Sequence, residues 1–144
     1  MKNMSCILHQ IVLGMLVLLA VGVGQAQNES PVLKVRIPFT FNVGTQTFPA
    51  GQYSLRPLLQ NTISLRDQAG QVLTNIGTNS VEASEAPTTI KLLFNEYRGQ
   101  YFLAQIWQAG DGIGREVVRS STEIEMARKY APGQQIALRV VPHR

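Results

Sequence analysis

Eleven consecutive residues, Leu33 to Val43, alternate without a slip. Leu33, Val35, Ile37, Phe39, Phe41 and Val43 are apolar, and Lys34, Arg36, Pro38, Thr40 and Asn42 between them are polar or proline. A helix returns its apolar face about every 3.6 residues and cannot produce this pattern, whereas a strand sends successive side chains to opposite faces. The stretch predicts one long strand with a buried and a wet face. Pro38 has no amide hydrogen to give a ladder, which assigns it to an edge or a bulge.

The same grammar runs down the chain. Gly44-Thr45-Gln46 reads as a turn, and Pro49-Ala50-Gly51 as a second one, in which Pro49 fixes its own φ and Gly51 supplies a positive φ. A strand at 52–58 follows, with Tyr53 and Leu55 inward. Strands at 62–66 and 72–76 flank a turn at 67–70 (DQAG), and the small, polar residues 77–88 predict a long surface loop. Residues 89–97 and 100–107 read as a hairpin turned by Arg98-Gly99. The second of these strands is apolar on both faces, Phe102, Ala104 and Ile106 against Tyr101, Leu103 and Trp107, which makes it central. A glycine-rich loop at 108–114 leads into a strand at 115–118. Ser120 with Glu123, or Thr122 with Glu125, forms a capping-box pattern that starts a short helix, and Pro132-Gly133 stops it. A last strand runs over 135–141. Short strands at regular spacing predict an all-β fold, a single antiparallel β-sandwich or small barrel of about eight or nine strands, with one short helix near 121–130.

The N-terminus has a different character. Lys2 precedes an unbroken apolar or glycine run, Ile11 to Gly24, and Gly24 and Ala26 place small residues at −3 and −1 of a cleavage site. That is the anatomy of a secretory signal peptide over 1–26, with a core shorter than the roughly 20 residues of a membrane span. The expectation is an exported protein, cleaved near Ala26, with a single β domain at 27–144, no membrane span in the mature chain, and a periplasmic or extracellular location. The one cysteine, Cys6, lies inside the signal, so the mature domain is expected to fold without a disulfide. Asn28-Glu29-Ser30 matches the glycosylation sequon. The chain carries 13 Lys+Arg against 9 Asp+Glu, net +4, yet no three basic residues are consecutive. Phosphate binding needs several cations on one face, so nucleic acid is not an expected partner.

The inventory for catalysis is thin. Outside the signal the one histidine is His143, the penultimate residue. Asp67 and Asp111 stand singly in loops as turn formers, and neither a metal nor a cofactor site is predicted. GDGIG at 110–114 has neither a GxGxxG spacing nor a Walker lysine. Glu96 with Glu116 is the carboxylate pair a small hydrolase could use. Trp107 and Tyr101 offer either an aromatic platform or core packing. Binding residues concentrate on loops held by rigid strands, and the 107–116 stretch combines glycines, opposite charges and a tryptophan. Trp107, Asp111, Arg115 and Glu116 are therefore the candidate ligand-binding residues, with a pairing of Asp111 and Arg115 across the loop as the alternative.

Two stretches, IPFTFNVGTQTFPAGQYSLRPL (37–58) and YFLAQIWQAGDGIGREV (101–117), carry a pattern of Pro-Phe-x-Phe-x-Val-Gly, then Pro-Ala-Gly-x-Tyr, then Tyr-Phe-Leu, Trp and Gly-Arg-Glu. In that order after a signal peptide, it resembles a family of small exported acidobacterial-type proteins of unknown function. The resemblance spans most of the mature chain and implies export, but it transfers no catalytic residue. The expected role is a non-enzymatic domain, binding or structural in the cell envelope, acting on an envelope or extracellular partner. Two alternatives stand beside it. One is a small envelope carbohydrate hydrolase using loop carboxylates; the other is a subunit of a surface assembly joined through an edge strand.

Overall fold

Pro38 ends a strand rather than decorating one. In the computed structural model, which describes residues 32–130 and 133–140, the predicted single strand is two. β1 (Leu33–Ile37) pairs with β4 (Gly51–Leu59), the chain bends through Pro38-Phe39-Thr40, and β2 (Phe41–Val43) goes to other neighbours. Alternation survives the bend because Phe39 still turns inward, packing 5.1 Å from Phe94 and 4.3 Å from Tyr101 between ring centroids. Periodicity reports which side chains are buried, not whether the ladder is continuous. The signal peptide, the sequon, Pro132 and His143 lie outside the described residues.

The remaining elements are β3 (Gln46–Phe48), β5 (Thr62–Arg66), β6 (Val72–Glu82), β7 (Ile90–Tyr97), β8 (Gln100–Trp107), β9 (Ile113–Val117), α1 (Ser121–Lys129) and β10 (Gln135–Val140). Among the described residues the fold is all-β with a single short helix, as the patterning implies. Its hydrogen-bonded path runs β1-β4-β5-β6-β9-β8-β7-β10, with the β2–β3 hairpin added at β8. Ten strands form among the described residues, one or two more than expected, because the first segment divides and Gln46–Phe48 counts as a strand. The sheet is mixed, since β2 runs parallel to β8. It does not close. β1 and β10, the two ends of the path, come near each other, but no strand pairing joins them among the described residues.

β6 is the largest correction. Its first half pairs β5 (Ile63↔Ile76, Thr62↔Gly77) and its second half pairs β9 (Thr78↔Val117 through Glu82↔Ile113). The residues read as a surface loop thus continue as strand to Glu82. A strand that changes partners part-way is how a sheet turns a corner and folds over its own core. Polar Thr78, Asn79 and Ser80 hid the strand because this half is wet on one side and holds a polar residue, Thr78, on the buried side. Thr78 Oγ1 is buried and has no hydrogen-bond partner among the described residues.

One core lies inside the wrapped sheet. Val35, Ile37, Leu55 and Leu65 come from one half, and Phe41, Leu92, Phe94, Leu103, Ile106 and Val117 from the other. Burying each of these side chains contributes about 1.5–3 kcal/mol. Around Phe41, edge-on contacts to Tyr53 and Phe94 at 5.3 and 5.9 Å fill the space between the halves.

A bulge in β8 resets which residues belong to that core. Leu93 pairs with Gln105 but Phe94 with Leu103, so Ala104 is skipped. The extra residue inverts the alternation beyond it. Leu103 and Ile106 both face the core, while Phe102 and Trp107 pack on the outer face. The unbroken alternation expected for this strand, with Phe102 and Ile106 together, is therefore corrected.

On the outer face, α1 closes over β7. Ser120 Oγ accepts from Glu123 N at 3.2 Å, which caps the helix start. The second half of the expected capping box is absent. Glu123, a residue only 3% exposed, instead accepts through its carboxylate from Asn95 Nδ2 on β7 at 2.9 Å, with Arg119 Nε 4.0 Å away. Beside it, Tyr97 meets Phe102 edge-on at 5.8 Å. Burial raises the Tyr97 phenol above its ordinary pKa, and the Glu123 charge adds to that.

The FPAG bend has a different cause from the one its sequence suggests. Gly51 opens β4 opposite Ile37, and its φ is not positive. The bend at Pro49-Ala50 is held by Tyr53, whose hydroxyl donates to the Pro49 carbonyl oxygen at 2.5 Å. The ring folds back over Gly51, where a Cβ would sit 3.4 Å from Tyr53 Cε2. A Cβ there would meet the ring at ordinary contact distance, so the glycine neither supplies a left-handed turn nor is required by a close approach.

Candidate functional site: a pocket at one end of the core

Strand alternation divides the four candidate residues before any detail is considered. Arg115 lies opposite Ile106, a core residue, whereas Glu116 lies opposite Gln105. Neighbours on a strand face opposite ways. Arg115 therefore looks into the wrapped sheet and Glu116 looks out of it.

Trp107 belongs to the outer face. Its ring lies flat on Gly114, so close that a Cβ on Gly114 would be 2.6 Å from Trp107 Cδ2. Lys91 Nζ sits 5.5 Å from the ring centroid, and the indole Nε1 donates to Gln105 Oε1 at 3.0 Å. With 5% exposure, Trp107 is a packed residue and offers no platform. Tyr101 is likewise packed against the core, on the opposite face.

Asp111 and Arg115 do come together, as lining of one pocket. Its floor is apolar, Leu33 from β1, Leu55 from β4, Ile63 from β5 and Ile106 from β8. Its rim carries Gln108, Asp111 and Arg115, and the cavity is about 210 Å³. The pocket sits between the sheet's two halves, and its floor is made by side chains of the core that are themselves buried.

The rim is fixed by the loop that carries it. Gly110 takes a φ of 77° that favours glycine, its amide donates to the Pro87 carbonyl at 2.8 Å, and the Ala83 amide donates to the Gly112 carbonyl at 2.9 Å. The 83–87 segment thus braces the 108–112 loop from outside. Asp111 Oδ1 accepts from the Ile113 amide at 2.9 Å, an Asx-type turn that holds the carboxylate in place.

Asp111 and Arg115 do not form an ion pair, contrary to the alternative raised by their spacing. Among the described residues the one ion pair is Arg119–Glu123. Arg115 Nη1 donates to Ser80 Oγ on β6 at 3.1 Å instead. A guanidinium has five N–H donors, so most of its donors remain free for a ligand.

The carboxylate pair considered for hydrolysis is not assembled. Glu96 follows the inward Phe94 by two residues on β7 and accepts from the Gly99 amide at the hairpin turn, while Glu116 is on the outer face of β9. Asp67 is a turn former, accepting from the Gln71 amide at 2.8 Å. No group of three or more His, Cys, Asp or Glu side chains comes together among the described residues, and no helix among them is long and apolar enough to cross a membrane.

Sequence reasoning missed every apolar member of this pocket. Leu33, Leu55 and Ile63 read simply as inward positions, and nothing local to them shows that they end at an opening. No family model, no curated protein and no solved structure matches the chain.

Proposed function

We propose that this chain is an exported, non-enzymatic binding domain of the cell envelope, and that it binds through the pocket beneath the 108–112 loop. The carrying observation is the convergence, on one opening, of an apolar floor from four strands and a rim of Arg115, Asp111 and Gln108. Small-molecule sites have this composition, an apolar lining with a few fixed polar groups. The signal-like pattern at 1–26 and the resemblance to small exported acidobacterial-type proteins support the location. Rigid bracing of the rim by residues 83–87 supports binding, because a pre-formed site spends less on ordering.

The test uses the isotopically labelled mature domain and a low-molecular-mass extract of the envelope. Amide shifts should concentrate at Leu33, Ile63, Gln108 and Arg115, and the responsible compound should be retained unchanged. Shifts centred on Trp107 and Glu116 would move the site to the outer face. Consumption of the compound would replace binding with turnover. Mass spectrometry of the exported form should find an N-terminus near Gln27; an intact Met1 on membrane-bound protein would refute cleavage.

A further inference from the structure

The pocket's chemistry also restricts what it can hold. We infer that its ligand is a small amphipathic carboxylate, its anionic group on Arg115 and one apolar group of about five to nine heavy atoms on the Leu33–Leu55–Ile63–Ile106 floor. This inference rests on the proposal that the pocket is the binding site.

Size comes from the cavity. A dry cavity of about 150 Å³ lined by aliphatic side chains takes a benzene ring. The 210 Å³ here admits a body somewhat larger, a branched aliphatic or single aromatic group, and not a long acyl chain. Polarity comes from the floor, where Leu33, Leu55, Ile63 and Ile106 are the lining residues and Pro57 completes the apolar wall.

Charge comes from how the rim spends its hydrogen bonds. Asp111 already accepts from the Ile113 amide, which holds it as a turn cap. Arg115 faces the cavity beside Ile106, has no carboxylate within ion-pair distance among the described residues, and gives one N–H to the neutral Ser80 hydroxyl. A half-buried guanidinium with free donors matches a carboxylate in a two-pronged arrangement that an ammonium or amide cannot reproduce. Gln108 at the rim can donate to the same anion or accept from a neighbouring hydroxyl.

The experiment compares four probes with one apolar body: 4-methylpentanoate, 4-methylpentanamide, leucine and isopentylamine, each titrated into the labelled domain. The carboxylate should bind at least about tenfold more tightly than the amide, and isopentylamine should be the weakest. Leucine should fall between the carboxylate and the amine, because it keeps the carboxylate for Arg115 but brings an ammonium whose desolvation over the apolar floor is costly. In Arg115→Gln the carboxylate should lose its advantage while the amide binds as before, and Arg115→Lys should keep part of it. Equal binding of carboxylate and amide to the wild type overturns the ligand class and leaves the pocket reading standing, as does a preference for the amine. If no probe shifts Leu33, Ile63 or Arg115, the pocket reading falls too.

Discussion

Gly114 is where the packing can be tested most directly, because the domain's only tryptophan lies on it. Gly114→Ala places a methyl carbon 2.6 Å from Trp107 Cδ2 and Cε3 and 2.8 Å from Cε2. Carbon atoms in contact sit about 3.5–4.0 Å apart, so the ring must retreat by roughly 1 Å. It cannot do so freely, since its Nε1 is bonded to Gln105 and Lys91 stands over its face. Overpacking of this kind costs about 1–3 kcal/mol. Taking about 2 kcal/mol, thermal unfolding should fall by roughly 8–12 °C. Gly112→Ala is the control, with nothing within 4 Å of its Cβ and no positive φ. It should stay within about 0.5 kcal/mol of the wild type. Tryptophan emission gives a second readout, shifting red in Gly114→Ala as the ring is pushed toward water. In a Trp107→Leu background Gly114→Ala should become nearly neutral, a coupling of about 1–2 kcal/mol. If Gly114→Ala matches Gly112→Ala in stability and emission, the ring does not lie on β9 and the division of faces is wrong.

Four further outcomes are expected. Thr78→Val removes a buried hydroxyl that has no partner among the described residues and should raise stability by about 1 kcal/mol in denaturant melts, and a loss would mean that the hydroxyl is satisfied. Glu123→Ala deprives half-buried Asn95 of its acceptor and should cost about 1–2 kcal/mol, whereas the same change at exposed Glu125 should be near zero. Arg98 and Gly99 both have positive φ, 51° and 82°, as a two-residue hairpin turn requires, so Arg98→Gly should be neutral or stabilising while Gly99→Val costs about 1–2 kcal/mol. The Tyr53 and Tyr97 phenols are raised by burial, so above about pH 10 the unfolded chain loses these protons first and stability must fall as pH rises, while Tyr130, lowered by Arg98, titrates earliest in ultraviolet absorbance.

Local pattern made some of this legible and could not reach the rest. Thr62–Arg66, Gln100–Trp107 and the helix start at Ser120 are visible because periodicity, turn residues and caps act over a few positions. Pairing is not local. Asn42 reaches the Tyr101 carbonyl across 59 positions, and nothing near either residue announces it. The Ala104 bulge was hidden because β8 is apolar on both faces, which leaves its parity unmarked. For the candidate site, the 108–112 loop was legible from its glycines and charges. Its split into two faces was available too, since adjacent residues Arg115 and Glu116 cannot share one side of a strand. What could not be read was the floor, which exists only after β1, β4, β5 and β8 have met.

The order in which the strands pair has a consequence for how the molecule comes into being. As the chain is made from its N-terminus, β1, β4, β5 and the first half of β6 can pair among themselves by residue 77. Their inner face, with Val35, Leu55, Leu65 and Ile76, then stays uncovered until β8 and β9 arrive, and β7 keeps a bare edge until β10 at 135–140. A half-made chain therefore presents an open apolar meander with no way to bury it. Folding of this kind waits on distant segments and is slow, and the unfinished form is sticky. Force-profile measurements on stalled ribosomes should show no strong folding transition until β10 has left the exit tunnel. A chain ending at residue 107 should aggregate unless a holding chaperone occupies the exposed face. If the chain is exported as proposed, such a window of persistent unfoldedness is what a translocation channel would require of it.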